Sequence, residues 1–348
     1  MSPLTQSIFV ISLGLGTTMT LSSTHWLLAW MGIEINTLAI IPLMTQNSHP
    51  RAVEAATKYF FAQAGASALL LFAAFLNSCL TGSWNITLMH HPAASTLCIL
   101  ALAMKIGIAP LHSWVPEVMQ ALDLRTALIL STWQKLAPLY LMYQIPLDNS
   151  DLILFLGLFS IAVGGLGGLN QVQILKIMAY SSIAHLGWMV IILSISAHLT
   201  LLALYTYLLI SFSLFFSLMM MRTKHISSLS ISWAKIPTLT MTLPLILLSL
   251  GGLPPLTGFA PKWLITMELM KSGLALMALF AILLSLLSLY FYLRIFYTTT
   301  LTTPPNNPPG SLPWRFFPQH ITLLPTLAIT ATITLLPLTP AILTFMTY

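Results

Sequence analysis

The sequence predicts an all-α membrane protein: a polytopic bundle of about eleven transmembrane helices, two of them discontinuous. Three observations carry that prediction. Only 6% of the 348 residues are charged and 57% are hydrophobic, whereas a water-soluble chain carries about 25% charged residues. Apolar runs of about 20 residues, enough to cross a bilayer's hydrocarbon core as a helix, recur from end to end. Two runs are too long for one crossing and contain the Gly and Pro residues that interrupt helices.

The first run covers 3–22. Residues 1–8 lack a basic n-region and the run continues to full length, so no cleavable signal peptide is expected. The second, 25–45, contains Glu34 in "WMGIEINTLAIIPLM". The third is 59–80, and the fourth, 94–122, is over-long and broken in "AMKIGIAPLHSWVPEV", where Lys105 precedes Gly107 and Pro110. The fifth, 124–145, places Lys135 three residues before Pro138 in "STWQKLAPLY". The sixth, 151–170, ends in "GGLGGL" at 164–169. No strand precedes these glycines, so close helix approach fits them better than a dinucleotide-binding loop. The seventh, 174–195, carries His185 in "AYSSIAHLGW", and the eighth is 198–221, whose "LMMM" reads as packing. The ninth, 237–270, is broken in "GGLPPLTGFAPKW", just before Lys262. The tenth is 274–298. A Pro-rich hydrophilic linker, 299–322, then leads to the last span within 323–348.

Basic residues sort to one face. Arg51, Lys58, Arg125, Lys176, Arg222, Lys224, Lys235, Arg294 and Arg315 fall on the side of the N-terminus. The other side has Lys271, with Asp148, Asp151 and Glu268. The net charge of +6 is thereby explained as loop charge, and the N-terminus is expected in the compartment where the chain is made. Trp26, Trp84 and Trp314 are expected in the interfacial aromatic belts. Cys79 and Cys98 lack ligand spacing, which excludes a thiolate-bound iron–sulfur centre, and the pair His90–His91 is weak support for a metal.

Glu34, Lys105, Lys135, His185 and Lys262 fall within spans. A charge at mid-bilayer costs about 2.5–3.5 kcal/mol on insertion scales, and such groups typically mark an ion or proton path. One lysine near a span end also fits snorkelling, and one Glu–Lys pair also fits a packing device. Three mid-span lysines with one acid fit a path better than either. Lysine suits proton relay because its surroundings can favour either protonation state, whereas arginine stays charged. All five arginines fall in loops or near span ends. A break beside Lys105 implies a hydrated cavity and a helix end facing the ammonium. "GIAP" at 107–110 and "GFAP" at 258–261 align at an offset of 151, which also carries Glu34 onto His185. This suggests two five-helix repeats, 1–145 and 151–298, inverted in the membrane.

On the quoted motifs the chain resembles the antiporter-like membrane subunits of respiratory complex I, specifically the chain 2 family of animal mitochondria. The resemblance runs over essentially the whole length. It implies a proton-translocating subunit of an NADH:ubiquinone reductase. Glu34 and Lys105 would be a modulating pair, Lys135 and His185 the central groups, and Lys262 the lysine of the second broken helix. His112 and Lys176 would be auxiliary. No cofactor is implied in this chain: NADH, FMN, iron–sulfur clusters and ubiquinone would be held by other subunits. Its partners would be the other complex I subunits, including neighbouring antiporter-like ones, and membrane lipid, with no nucleic acid. The implied location is the mitochondrial inner membrane, with the N-terminus in the matrix and the C-terminus in the intermembrane space. Two alternatives remain on the residues alone: an autonomous cation/proton antiporter or other secondary transporter, and a purely structural membrane subunit.

Overall fold

The computed structural model describes residues 2–46, 49–89, 91–146, 150–234, 236–301 and 323–347. The linker expected at 299–322 lies outside them beyond Leu301, as do His90, Asp148, Lys235, Trp314 and Arg315. The chain divides into two units, Met1–Phe155 and Leu156–Tyr348. Among the described residues there are helices, turns and two isolated antiparallel bridges, but no strand.

The first unit holds α1 (Pro3–Ser22), α2 (Trp26–Met44), α3 (Pro50–Thr81), α4 (Pro92–Ile106), α5 (Trp114–Ala121) and α6 (Leu124–Gln144). Proline occupies the first turn of α1, α3 and α4, where its missing N–H costs nothing. α1 packs along α2 where Gly16 meets Gly32. A Cβ on Gly16 would lie 2.8 Å from the Gly32 carbonyl oxygen. The turn between α1 and α2 is stitched to the loop after α3: Trp26 N donates to Trp84 O at 3.0 Å, and Ile86 N to Thr24 O at 3.1 Å. His25 stacks on Trp84 there. Trp26 is only 1% exposed, so it belongs to this buried stitch and not to an aromatic belt.

α7 (Ser150–Gly168) starts in the first unit and continues into the second. There follow α8 (Ile174–Leu193), α9 (Ala197–Met221), the short α10 (Ile226–Ile231), α11 (Pro237–Gly251), α12 (Phe259–Lys271), α13 (Ala275–Thr300), α14 (Leu323–Thr334) and α15 (Thr339–Thr347). The glycines of "GGLGGL" let neighbours close in. A Cβ on Gly164 would lie 2.7 Å from Ala184 N on α8, and one on Gly165 2.9 Å from Leu287 Cβ on α13. A second stitch recurs here, Ile174 N to Lys224 O at 3.0 Å and Ile226 N to Val172 O at 3.3 Å. α8, buried along nearly all its length, is the core of this unit.

Both over-long runs are interrupted helices. α4 ends at Gly107 and α11 at Gly252, each in the left-handed conformation that glycine tolerates. The helix ends revise the sequence alignment. Gly107, Pro110, Trp114 and Pro116 stand 145 residues before Gly252, Pro255, Phe259 and Pro261, so the cap, the break and the restart all coincide. The offset of 151 matched a helix C-cap, Gly107, to Gly258, the N-cap of α12. The lysines lie on opposite sides of the two breaks, Lys105 in the last turn of α4 and Lys262 in the first turn of α12.

Among the described residues, seven helices are long and apolar enough to cross a membrane: α1, α2, α3, α7, α8, α9 and α13. The last run is not straight. α14 and α15 meet at a 72° bend and together make an eighth candidate. Pro337 and Pro340 fall at that bend, and neither can continue a helical hydrogen-bond ladder. A count of eleven adds α6, with its Lys135 and Gln134, and the two broken pairs.

Candidate functional site

In the first unit, α2, α4 and α6 bring two of the three expected groups to one cavity. Lys105 and Lys135, each 4% exposed, both line an internal space of about 20 Å³. That is enough for about one water molecule. Asn36, Thr37, Gln63 and Gln134 give it polar walls, and Tyr59 and Trp114 give it aromatic ones. Pro138, also at the wall, supplies no N–H to the Gln134 carbonyl, as a proline inside a helix must fail to do.

Glu34 stands beside this cavity, half-buried. Its Oε2 accepts a hydrogen bond from the Thr37 hydroxyl at 3.1 Å. It makes no contact ion pair with Lys105, although its charge lies within electrostatic reach of the ammonium. The Thr37 side chain therefore touches both the carboxylate and the cavity.

The helix end beside Lys105 is closed differently from what the sequence suggests. Trp114 Nε1 donates to Met104 O at 3.1 Å, and Gln63 Nε2 to Lys105 O at 3.2 Å. Lys105 Nζ is buried and makes no hydrogen bond. The expected union of a lysine with a helix C-terminus occurs instead in the second unit. Lys262 Nζ donates to Gly251 O at 2.7 Å and to Leu250 O at 3.4 Å, capping α11 from α12. The carbonyl partial charges there suit a cation. His185, on α8, packs its ring against Tyr207 of α9 at 5.6 Å.

Neither auxiliary residue lines the Lys105–Lys135 cavity. His112 is in the turn after α4, its Nδ1 3.2 Å from Pro110 O. Lys176 sits in the first turn of α8. It is nine positions from His185, about 13 Å along the helix axis. The neutral polar residues Asn36, Thr37, Gln63 and Gln134 were not expected as site residues. Their signal was present, since each is a hydrogen-bonding side chain inside an apolar run, two of them next to or near Glu34 and one next to Lys135.

Residues 23–288 match the family described as NADH:quinone oxidoreductase/Mrp antiporter, TM, and residues 289–343 match the NADH dehydrogenase subunit 2 C-terminus. The NADH-ubiquinone oxidoreductase chain 2 of Tetraodon nigroviridis is 58% identical, the alignment covering 99% of both chains. That of Salmo salar is 56% identical over the whole of both. The chain belongs to the NADH-ubiquinone oxidoreductase chain 2 family. A chain in the structure of respiratory complex I from Thermus thermophilus with bound aureothin superposes with a TM-score of 0.80 at 27% identity, covering 98% of this chain and 78% of that one. A chain of the Mrp complex from Dietzia sp. DQ12-45-1b shares the fold, with a TM-score of 0.76 at 18% identity over 90% of this chain and 64% of that one. Glu34, Lys105, Lys135, Lys262 and His185 fall inside the segment, 23–288, that matches the NADH:quinone oxidoreductase/Mrp antiporter family.

Proposed function

We propose that this chain is a proton-translocating membrane subunit of an NADH:ubiquinone oxidoreductase, respiratory complex I. It performs no redox chemistry itself. NADH, FMN, iron–sulfur clusters and ubiquinone are bound by other subunits, and the neighbouring antiporter-like subunits are its partners. It resides in the mitochondrial inner membrane as eleven spans in two inverted five-helix repeats, with the N-terminus in the matrix and the C-terminus in the intermembrane space. Glu34, Lys105, Lys135, His185 and Lys262 act in series as the proton relay, with His112 and Lys176 auxiliary.

The observation that carries this reading is the shared cavity of Lys105 and Lys135, where a buried ammonium without a hydrogen bond stands beside a second lysine. An orphaned buried donor is expensive, and structure maintained for packing alone does not retain one. Full-length relatives above 50% identity also weigh against an autonomous antiporter. The test is Lys105→Met in the full chain within the assembled complex, reconstituted in vesicles. Assembly is expected to be normal and coupled proton transfer to fall about tenfold or more. A variant that assembles and moves the usual number of protons per NADH would return the chain to a structural role.

A further inference from the structure

The two breaks treat their lysines in opposite ways. Every helix leaves its last carbonyls without intrahelical partners, and a cation at that end is favoured. At the end of α11 the cation is Lys262, held by Leu250 O and Gly251 O. At the end of α4, Ala103 O receives Gly107 N and Ile108 N, both at 2.9 Å. Met104 O receives the Trp114 indole and Lys105 O the Gln63 amide. The first break is therefore capped by neutral donors. Gln63 comes from α3, is 4% exposed, and reaches Lys105 O across 42 residues of sequence. The acceptor it meets is a carbonyl, which requires the NH₂ end of the amide to face it.

We propose that Gln63 is a positioning residue for Lys105: by closing the end of α4 with a neutral amide, it keeps the Lys105 ammonium off its own helix terminus and available to the cavity. This rests on the relay role proposed for Lys105 and adds the residue that sets it. Gln63, Lys105 and Lys135 all line that cavity. With the Gln63 donor gone, the Lys105 carbonyl becomes an orphaned acceptor at the wall of a space that holds two lysines. One ammonium then anchors there, as Lys262 is anchored at Gly251, and an anchored lysine hands on its proton slowly.

Gln63→Met keeps the side chain's length and removes its donor, whereas Gln63→His restores a ring N–H that can reach a carbonyl. Both go into the full chain in the assembled complex, and protons moved per NADH oxidised are compared with assembly on native gels. Gln63→Met is expected to lower coupled proton transfer about tenfold at normal assembly, with Gln63→His restoring most of it. The double variant Gln63→Met with Lys105→Met should be no worse than Lys105→Met alone. A packing role predicts the reverse order, Met tolerated and His not, and that order would overturn the proposal. So would loss of coupling in Gln63→Met alongside a Lys105→Met variant that pumps normally. That second result also refutes the relay reading, whereas a normal Gln63→Met beside a defective Lys105→Met refutes the positioning role alone. Should Gln63→Met fail to assemble, Gln63→Asn, one methylene too short for the carbonyl, replaces it with the same expected loss.

Discussion

The Lys262 ammonium is held as much by a glycine as by the carbonyls it caps. Gly252 has φ +78°, and a Cβ there would lie 2.7 Å from Lys262 Cδ and 3.0 Å from its Nζ. Gly273 has the same φ of +78° with nothing within 4 Å of the added atom. The left-handed backbone costs an alanine about 1–2 kcal/mol at either position. Only Gly252→Ala also displaces the lysine. Gly273→Ala is therefore expected to lower stability by that amount and leave proton transfer intact, while Gly252→Ala loses stability and proton transfer together. Thermal unfolding in detergent and proton flux in vesicles, run side by side, separate the two. Equal proton flux in the two variants would show that the cap on α11 does not matter to Lys262. The charged members of the site were legible in the sequence because a charge inside an apolar run is conspicuous. The capping role of Gln63 was not, since its partner is a backbone carbonyl on another helix and leaves no mark in the side-chain pattern.

Helix against helix, backbone proximity decides what a span tolerates. Gly164 on α7 faces Ala184 N and Tyr180 O of α8, backbone atoms that cannot rotate away. Gly14 on α1 faces nothing within 4 Å. Gly164→Ala is expected to destabilise the second unit by about 1–3 kcal/mol, the cost of overpacking. Gly14→Ala should be neutral or stabilising by up to about 1 kcal/mol, from helix propensity. Melting curves of the two variants check this; similar midpoints would mean that α7 and α8 can part without cost. The "GGLGGL" stretch was thus readable as a packing surface, because closely spaced small residues in an apolar run have few other uses. The helix breaks were equally readable from Gly107, Pro110, Gly252 and the Pro254–Pro255 pair. Their correspondence was not. A four-residue match gave an offset of 151, whereas the helix ends at the two breaks coincide at 145, because caps and restarts are set by backbone geometry over ten residues. The 72° bend between α14 and α15 was signalled by Pro337 and Pro340 but hidden by an otherwise uninterrupted apolar run.

The whole molecule presents large apolar side chains outward: Phe61, Phe72 and Phe75 on α3 and Leu276, Leu279 and Phe280 on α13 are each more than half exposed. In a membrane such faces meet lipid or other helices, and neither requires charge. With 6% charged residues, the chain offers little with which to bind a nucleotide or drive uphill transport by itself. The proton relay proposed for Lys105 and Lys135 would therefore draw on an energy source in other subunits. Solubilised gently, the chain is expected to run on a native gel within a large band that oxidises NADH, not as a species near its own 38.3 kDa. Harsher detergent should release it only as that activity's proton coupling is lost, because the relay and the energy source then separate. A small NADH-inactive species holding all of the chain under the mildest conditions would sink the subunit reading. It would also require the driving force to be sought in an ion gradient acting on the chain alone.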